Sequence, residues 1–247
     1  MLPNIIKSLQ HPIVKDLVKA RKDKQFRYKK NILVISENKI IKEISKSYKI
    51  RILLFSSKEP PIIAHQNKIK VTQEIITKIS GIKSANNLLA VVDIPKEKDL
   101  SLKNHILVLD RLSDPGNVGT LIRTALGLGW EGVIFTPNTT DPFNDKAIRS
   151  SRGAVLFLPY QFMTYEKIFN MAKSSKKKIL IADTKGKDIT SYSFGPKVLL
   201  VLSSEAHGPS ILAKMGKKIT IPMTKKVESL NVAIAGGIIM QKTGPNL

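Results

Sequence analysis

The chain of 247 residues contains no cysteine. Disulfides, thiolate zinc sites, iron–sulfur clusters and cysteine nucleophiles are therefore excluded. No apolar run approaches the ~18 residues needed to span a bilayer. The start, Met1 to Gln10, carries Lys7 inside a short apolar stretch and has no small-residue cleavage site, which argues against a signal peptide. Asp16 and Asp23 interrupt the basic segment that follows, against a transit peptide. His11, His65 and His105 are scattered without metal-ligand spacing, so no metal is expected. Acidic side chains are scarce, 19 against 41 lysines and arginines, which leaves a net charge of +22. Such an excess implies a polyanionic partner, nucleic acid or an anionic membrane surface, and nucleic acid is the favoured reading. A lysine-rich codon bias explains part of it. These absences leave a soluble, basic, cytoplasmic protein.

Hydrophobic residues make up 42% of the sequence, enough for a packed core. Residues 1–95 read as a small α/β unit. Leu9, Ile13, Val14, Leu17 and Val18 recur at helical spacing, as do Ile40, Ile41 and Ile44, and Ile75, Ile76 and Ile79. Strands are expected at Ile32–Ile35, Ile52–Phe55 and Leu88–Val92, and their alternation with helices predicts parallel pairing. Residues 96–104 are polar, follow Pro95, and read as a linker. In residues 105–247, strands are expected at Ile106–Leu109, Val133–Phe135, Ile179–Ala182, Val198–Leu202 and Ile219–Ile221, with helices near 117–127, 165–173, 209–215 and 230–241.

Basic residues crowd into the first unit. Lys15, Lys19, Arg21, Lys22, Lys24, Arg27, Lys29 and Lys30 face only Asp16 and Asp23. One reading is a phosphate-contacting patch in which Phe26 and Tyr28 stack on unpaired bases. The other is a solvated helix face with both aromatics packed inward.

Three loops are candidates to carry chemistry, each a weak signal alone. Asp110-Arg-Leu-Ser-Asp114-Pro-Gly-Asn117-Val-Gly119 leaves a strand and enters a helix, with Asp114 as N-cap and Pro115 in the first turn. Local physics does not account for Asn117, or for Arg123 buried between Ile122 and Ala125. Ser203-Ser204-Glu205-Ala-His-Gly208-Pro209 follows a strand, and Pro209 starts a helix. Ile221-Pro-Met223 precedes Ser229-Leu230-Asn231, where Ser229 can cap the last helix. Gly127-Leu-Gly-Trp-Glu-Gly132 spells a dinucleotide fingerprint but closes a helix instead of opening one, so Gly129 reads as a helix terminator.

In this order the three loops resemble the motifs of the SPOUT methyltransferase superfamily, and most closely the SpoU (TrmH-like) ribose 2′-O-methyltransferases. The resemblance covers residues 106–241. The first unit, through Leu9-Gln-His-Pro-Ile-Val-Lys15 and Ile35-Ser-Glu-Asn38, resembles the small substrate-binding domain of ribosomal-RNA members. The resemblance implies a trefoil-knotted α/β domain with a parallel sheet, preceded by a small α/β RNA-binding domain. It implies S-adenosylmethionine as cofactor, held around Ser203, Ser204, Gly208, Ile221, Met223 and Leu230. It also implies catalytic roles for Asn117, Arg123, Glu205, Ser229 and Asn231, and a homodimer in which the arginine acts across the interface. The expected substrate is rRNA; tRNA methylation and a non-catalytic role in RNA binding or ribosome assembly are the alternatives. Departures from the family pattern are Ser203, where glycine is usual, a Ser84-Ala-Asn-Asn87 turn without Pro-Gly, and a last helix ending at Gly244-Pro245. A serine at position 203 requires a negative φ or a more distant cofactor.

Overall fold

The computed structural model describes residues 5–59, 61, 63, 67–191, 193–204, 210–224 and 226–245. The chain divides into two compact units, the first ending at Pro95. It opens with α1 (Pro12–Lys22) and α2 (Lys24–Lys30), where His11 Nδ1 and Asp23 Oδ1 cap the two helices by accepting from Ile13 and Phe26 backbone N–H groups. Next come β1 (Leu33–Ile35), α3 (Asn38–Ile44), β2 (Ile50–Phe55), β3 (Lys68–Lys70), α4 (Gln73–Ser80) and β4 (Leu88–Val92). Val14, Leu17 and Ala20 of α1 bury against Ile75, Ile76 and Ile79 of α4 and against Leu54, Leu89 and Val91 of the sheet.

The sheet order is β1-β4-β2-β3. β2 and β3 are parallel; β4 runs antiparallel to both β1 and β2. The expectation of parallel pairing is thus corrected, because hydrophobic period reports which face a strand buries and not its direction. Phe143–Arg149, from later in the chain, belongs to this unit. There the Phe143 ring meets Tyr28 at 6.3 Å and Asp145 lies 3.8 Å from Arg21.

The second unit takes Lys96–Pro142 and the chain from Ser150 onward. The segment expected as a linker, 96–104, is therefore part of this unit. Lys98 N–H donates to the Tyr160 carbonyl, Glu97 accepts from Phe162 N–H, and Leu100 is fully buried. The elements are β5 (His105–Asp110), α5 (Pro115–Gly127), β6 (Gly132–Phe135), α6 (Asp145–Ser150), β7 (Tyr160–Phe162), α7 (Tyr165–Ser174), β8 (Lys178–Asp188), β9 (Val198–Ser203), β10 (Lys217–Thr220) and α8 (Val232–Thr243). Of α6, only Ser150 falls in this second unit. The helix expected at 209–215 is a short 3-10 turn, Ile211–Lys214, capped by Ser210.

All six strands are parallel, in the order β10-β8-β9-β5-β6-β7. Strands buried on both faces read as continuous apolar runs, as in Ile106–Leu109 and Val198–Leu202. Gly236 of α8 lets that helix close on α5 and β9: a Cβ there would sit 2.4 Å from Leu121 and 2.5 Å from Leu202. Gly129 ends α5 with φ at +70°, the left-handed conformation that suits glycine after a helix. Among the described residues no helix is long and apolar enough to cross a membrane.

Candidate active site

Parallel strands end on one edge, and in open α/β sheets the crevice beyond their carboxyl ends receives ligands. Here the ends of β9 and β10 and the middle of β8 surround a cleft of about 280 Å³. Its walls include Leu202, Ile219, Ile221, Met223, Leu230 and Ile239, together with Thr184, Ser203, Ser204, Thr220 and Ser229. Of the residues expected to hold a cofactor, Ser203, Ser204, Ile221, Met223 and Leu230 all line this cleft. Gly208 lies outside the described residues, as does Glu205.

A second cleft of about 200 Å³ is lined by Leu112, Ser113, Asp114, Asn117, Ser204, Asn231 and Val232. Ser204 and Val232 belong to both clefts. Asp114 accepts from the Asn117 N–H at 2.8 Å and starts α5. Asn231, and not Ser229, caps α8: its Oδ1 accepts from the Ala233 N–H at 2.9 Å. Its Nδ2 donates to Asn117 Oδ1 at 3.2 Å, which ties two loops 114 residues apart. Ser229 is exposed on the rim of the first cleft and plays no capping role.

Arg123 is exposed, which corrects the expectation that it is buried. It stands six residues beyond Asn117, about 240° further round an α-helix, so it faces away from its own Asn117. It lines neither cleft.

Beneath the cleft lies a group that sequence reasoning passed over. Asp110 ends β5 and is fully buried. Its carboxylate accepts from Thr136 Oγ1 at 3.1 Å, Tyr165 Oη at 3.0 Å and Ser203 Oγ at 2.9 Å, and its carbonyl accepts from the Ser204 N–H at 3.2 Å. Burial, and then the neighbouring Asp110 carboxylate, raise the Tyr165 hydroxyl above its ordinary pKa. Ser203 is not among the residues with positive φ. Its hydroxyl turns inward to Asp110, so the serine fits where the family pattern has glycine. Asp183 and Thr184 of β8 also line the first cleft, and were legible only once strand register was known.

The basic patch needs a sharper reading. Arg27 is buried, and its guanidinium donates to the carbonyls of Ala20 at 2.6 Å and Arg21 at 3.0 Å. Those carbonyls sit in the last turn of α1, where no further amide can reach them. Arg21 Nε likewise donates to Ile79 O near the end of α4, at 2.8 Å, and its head packs over Gly81. Both arginines are fastened to backbone, so they are withdrawn from the phosphate-contacting set. Lys15, Lys19, Lys22, Lys24, Lys29 and Lys30 are exposed. Phe26 packs with the core and carries Lys19 and Lys30 over its ring at 4.8 and 5.7 Å; Lys24 lies 5.8 Å from the Tyr28 ring. Both aromatics are partly buried and covered, against free stacking platforms. Among the described residues no cluster suits a metal ion.

Residues 104–241 match the model of the SpoU rRNA methylase family. The chain is 26% identical over 242 residues to the 23S rRNA (guanosine(2553)-2′-O)-methyltransferase RlmP of Bacillus subtilis, covering 95% of this chain and 97% of the relative. It is 30% identical over 148 residues to the 23S rRNA (adenosine(1067)-2′-O)-methyltransferase of Streptomyces azureus, covering 58% of this chain and 55% of that protein. The fold is shared with an AdoMet-bound rRNA methyltransferase from Sinorhizobium meliloti, at a TM-score of 0.84, 24% identity and coverage of 97% and 96%. It is shared also with the SpoU methyltransferase AviRb of Streptomyces viridochromogenes, at a TM-score of 0.85, 19% identity and coverage of 94% and 97%. With its matched segment spanning more than half its length, this chain belongs to the SpoU rRNA methylase family.

Proposed function

We propose that the protein is an S-adenosylmethionine-dependent ribose 2′-O-methyltransferase acting on ribosomal RNA in the cytoplasm. The observation that carries the reading is the pair of adjoining clefts, joined through Ser204 and Val232 and built from the three motif loops. The first cleft suits the cofactor: apolar walls accept an adenine and backbone at the strand ends offers hydrogen bonds. Its volume is near the ~300 Å³ lower bound of small-molecule sites. Ser203, Ser204, Ile221, Met223 and Leu230 would hold it, with Gly208 of the second loop. When bound, S-adenosylmethionine supplies an electrophilic methyl group on a sulfonium.

The second cleft takes the ribose. Asn117 and Asn231, fixed by their mutual hydrogen bond, orient the 2′-hydroxyl, and Ser229 and Glu205 complete the polar set around it. A guanidinium stays protonated at any physiological pH, so Arg123 stabilises the developing alkoxide and grips a neighbouring phosphate through its fork of donors. Its outward position supports delivery to a second copy's site. Ile234 and Ile238, 57% and 43% exposed on α8, support a homodimer through that helix. A trefoil-knotted chain belongs to the same reading and is carried by the family resemblance alone. The exposed lysines of α1 and α2 serve as the RNA-contacting set, and this preceding basic unit favours rRNA over tRNA.

The test is transfer of labelled methyl from S-adenosylmethionine to rRNA and tRNA prepared from cells lacking the gene. Incorporation into rRNA at a ribose 2′-oxygen is expected. Binding of RNA without binding of S-adenosylmethionine would favour the assembly role instead. Arg123→Lys separates clamp from bystander: a charge without the fork is expected to lower turnover by about 100-fold, and near-normal turnover would remove Arg123 from the mechanism.

A further inference from the structure

The register between β8 and β10 breaks at one point. Lys218 pairs with Ile181, but the next residue, Ile219, pairs with Lys187. Residues 182–186 are thereby displaced from the β10 ladder. Irregular strand segments of this kind re-aim side chains beside active sites. Here the displaced segment puts Asp183 and Thr184 into the wall of the first cleft. Asp183 is the sole acidic or basic side chain among the described residues lining that cleft.

The carboxylate is held on two sides. Oδ2 pairs with Lys218 Nζ at 2.8 Å, and Oδ1 accepts from the Lys185 N–H at 2.8 Å. The Lys218 bond, and then the Lys185 N–H, keep the carboxyl below its ordinary pKa, so it is ionised at neutral pH. Pairing with lysine makes it a poor counter-ion for a further cation, which excludes the sulfonium and the amino group as its main targets. It remains a good acceptor. A carboxylate offers about four lone-pair directions, and Lys218 and Lys185 take one on each oxygen. One direction per oxygen is left, which matches two adjacent hydroxyl donors.

We propose that Asp183 recognises the vicinal diol of the cofactor's ribose, with one hydroxyl donating to each carboxylate oxygen. The assignment rests on the cofactor reading above and adds a binding residue outside the three motif loops. Lys218 is then a positioning residue that orients the carboxylate. The competing account is that the Asp183–Lys218 pair only pins the displaced segment.

Titration calorimetry on the full chain decides, with S-adenosylhomocysteine and its 2′,3′-dideoxyribose analogue as probes. The wild-type chain is expected to bind the diol compound roughly 10- to 100-fold more tightly. Asp183→Ala is expected to weaken the diol compound by that factor and leave the dideoxy analogue nearly unchanged, so the ratio falls towards one. Asp183→Asn, which keeps the size and one acceptor, is expected to fall between. Lys218→Met is expected to retain most of the discrimination. Equal weakening of both compounds by Asp183→Ala and Asp183→Asn would overturn the proposal in favour of the pinning role. Wild-type binding without discrimination overturns it alone, whereas a wild-type chain that binds neither compound overturns the cofactor reading and this proposal with it.

Discussion

Both units mix helices and strands, yet they settle into different architectures. The first has a mixed sheet with β4 antiparallel to both neighbours, and its exposed helices carry a lysine field. The second has an all-parallel sheet whose strand ends gather two clefts. A parallel sheet puts every carboxyl end on one edge, so loops far apart in sequence meet there. The mixed sheet of the first unit sends its strand ends to both edges. Within that field, too, side chains divide. The arginines at 21 and 27 bind backbone carbonyls, and the lysines around them are exposed. A rigid fork of donors suits helix-end carbonyls, whereas a hydrated point charge suits a mobile phosphate.

The largest expected effect is in the second unit. Asp110→Ala removes the acceptor for three hydroxyls and is expected to cost about 3 kcal/mol or more. Thermal melting should show the second unit unfolding early while the first holds; an unchanged melt would mean that the carboxylate is dispensable. Next, Arg27→Met strands carbonyls at the end of α1 and is expected to cost about 2 kcal/mol in the first unit. RNA affinity of the folded variant and its salt dependence should not change, and a shallower salt slope would return Arg27 to the phosphate-binding set.

The opposite outcome is expected for Lys15, Lys22 and Lys29 replaced together by alanine. Stability should hold within about 0.5 kcal/mol, while the slope of log affinity against log salt falls by about 2–3. Filter binding over a range of salt measures it. The smallest effect concerns His105, which stands edge-on to Trp130 at 5.8 Å. Burial holds its imidazole below the ordinary 6.5, and Glu131 opposes this more weakly. The unfolded chain therefore takes up the proton first, so stability falls as pH drops through about 6.5 and levels off below the folded value. His105→Gln should flatten that part of the pH dependence, as read by melts at pH 5 and 7.5.

Much of this was legible in the residues. Apolar runs and helix-spaced isoleucines located most elements within a residue or two, and the three motif loops did converge. Short elements escaped. Lys68-Ile-Lys70 is too brief and polar to signal a strand, and Tyr160-Gln-Phe162 pairs only on one side and is shielded by residues 97–98. Strand direction was invisible because period 2 and apolar content are blind to it. At the site, Asn117 was readable as a polar residue that local structure did not require, and Asn231 through the family motif, although it also caps α8. Asp183 was not, because its place depends on a register break between strands that no single segment encodes. Arg27 misled for a related reason: its composition signals an exposed cation, while its partners are carbonyls in a different helix.

The inward-turned serine at position 203 has a consequence for how this lineage can change. Its hydroxyl is one of three that donate to the buried Asp110 carboxylate, beside which the Arg111 guanidinium also lies. Restoring the family-typical glycine would free the backbone but leave Asp110 a partner short, so the common residue would be the harmful one in this chain. A substitution at either of positions 110 and 203 is therefore felt at the other, through one buried hydrogen bond.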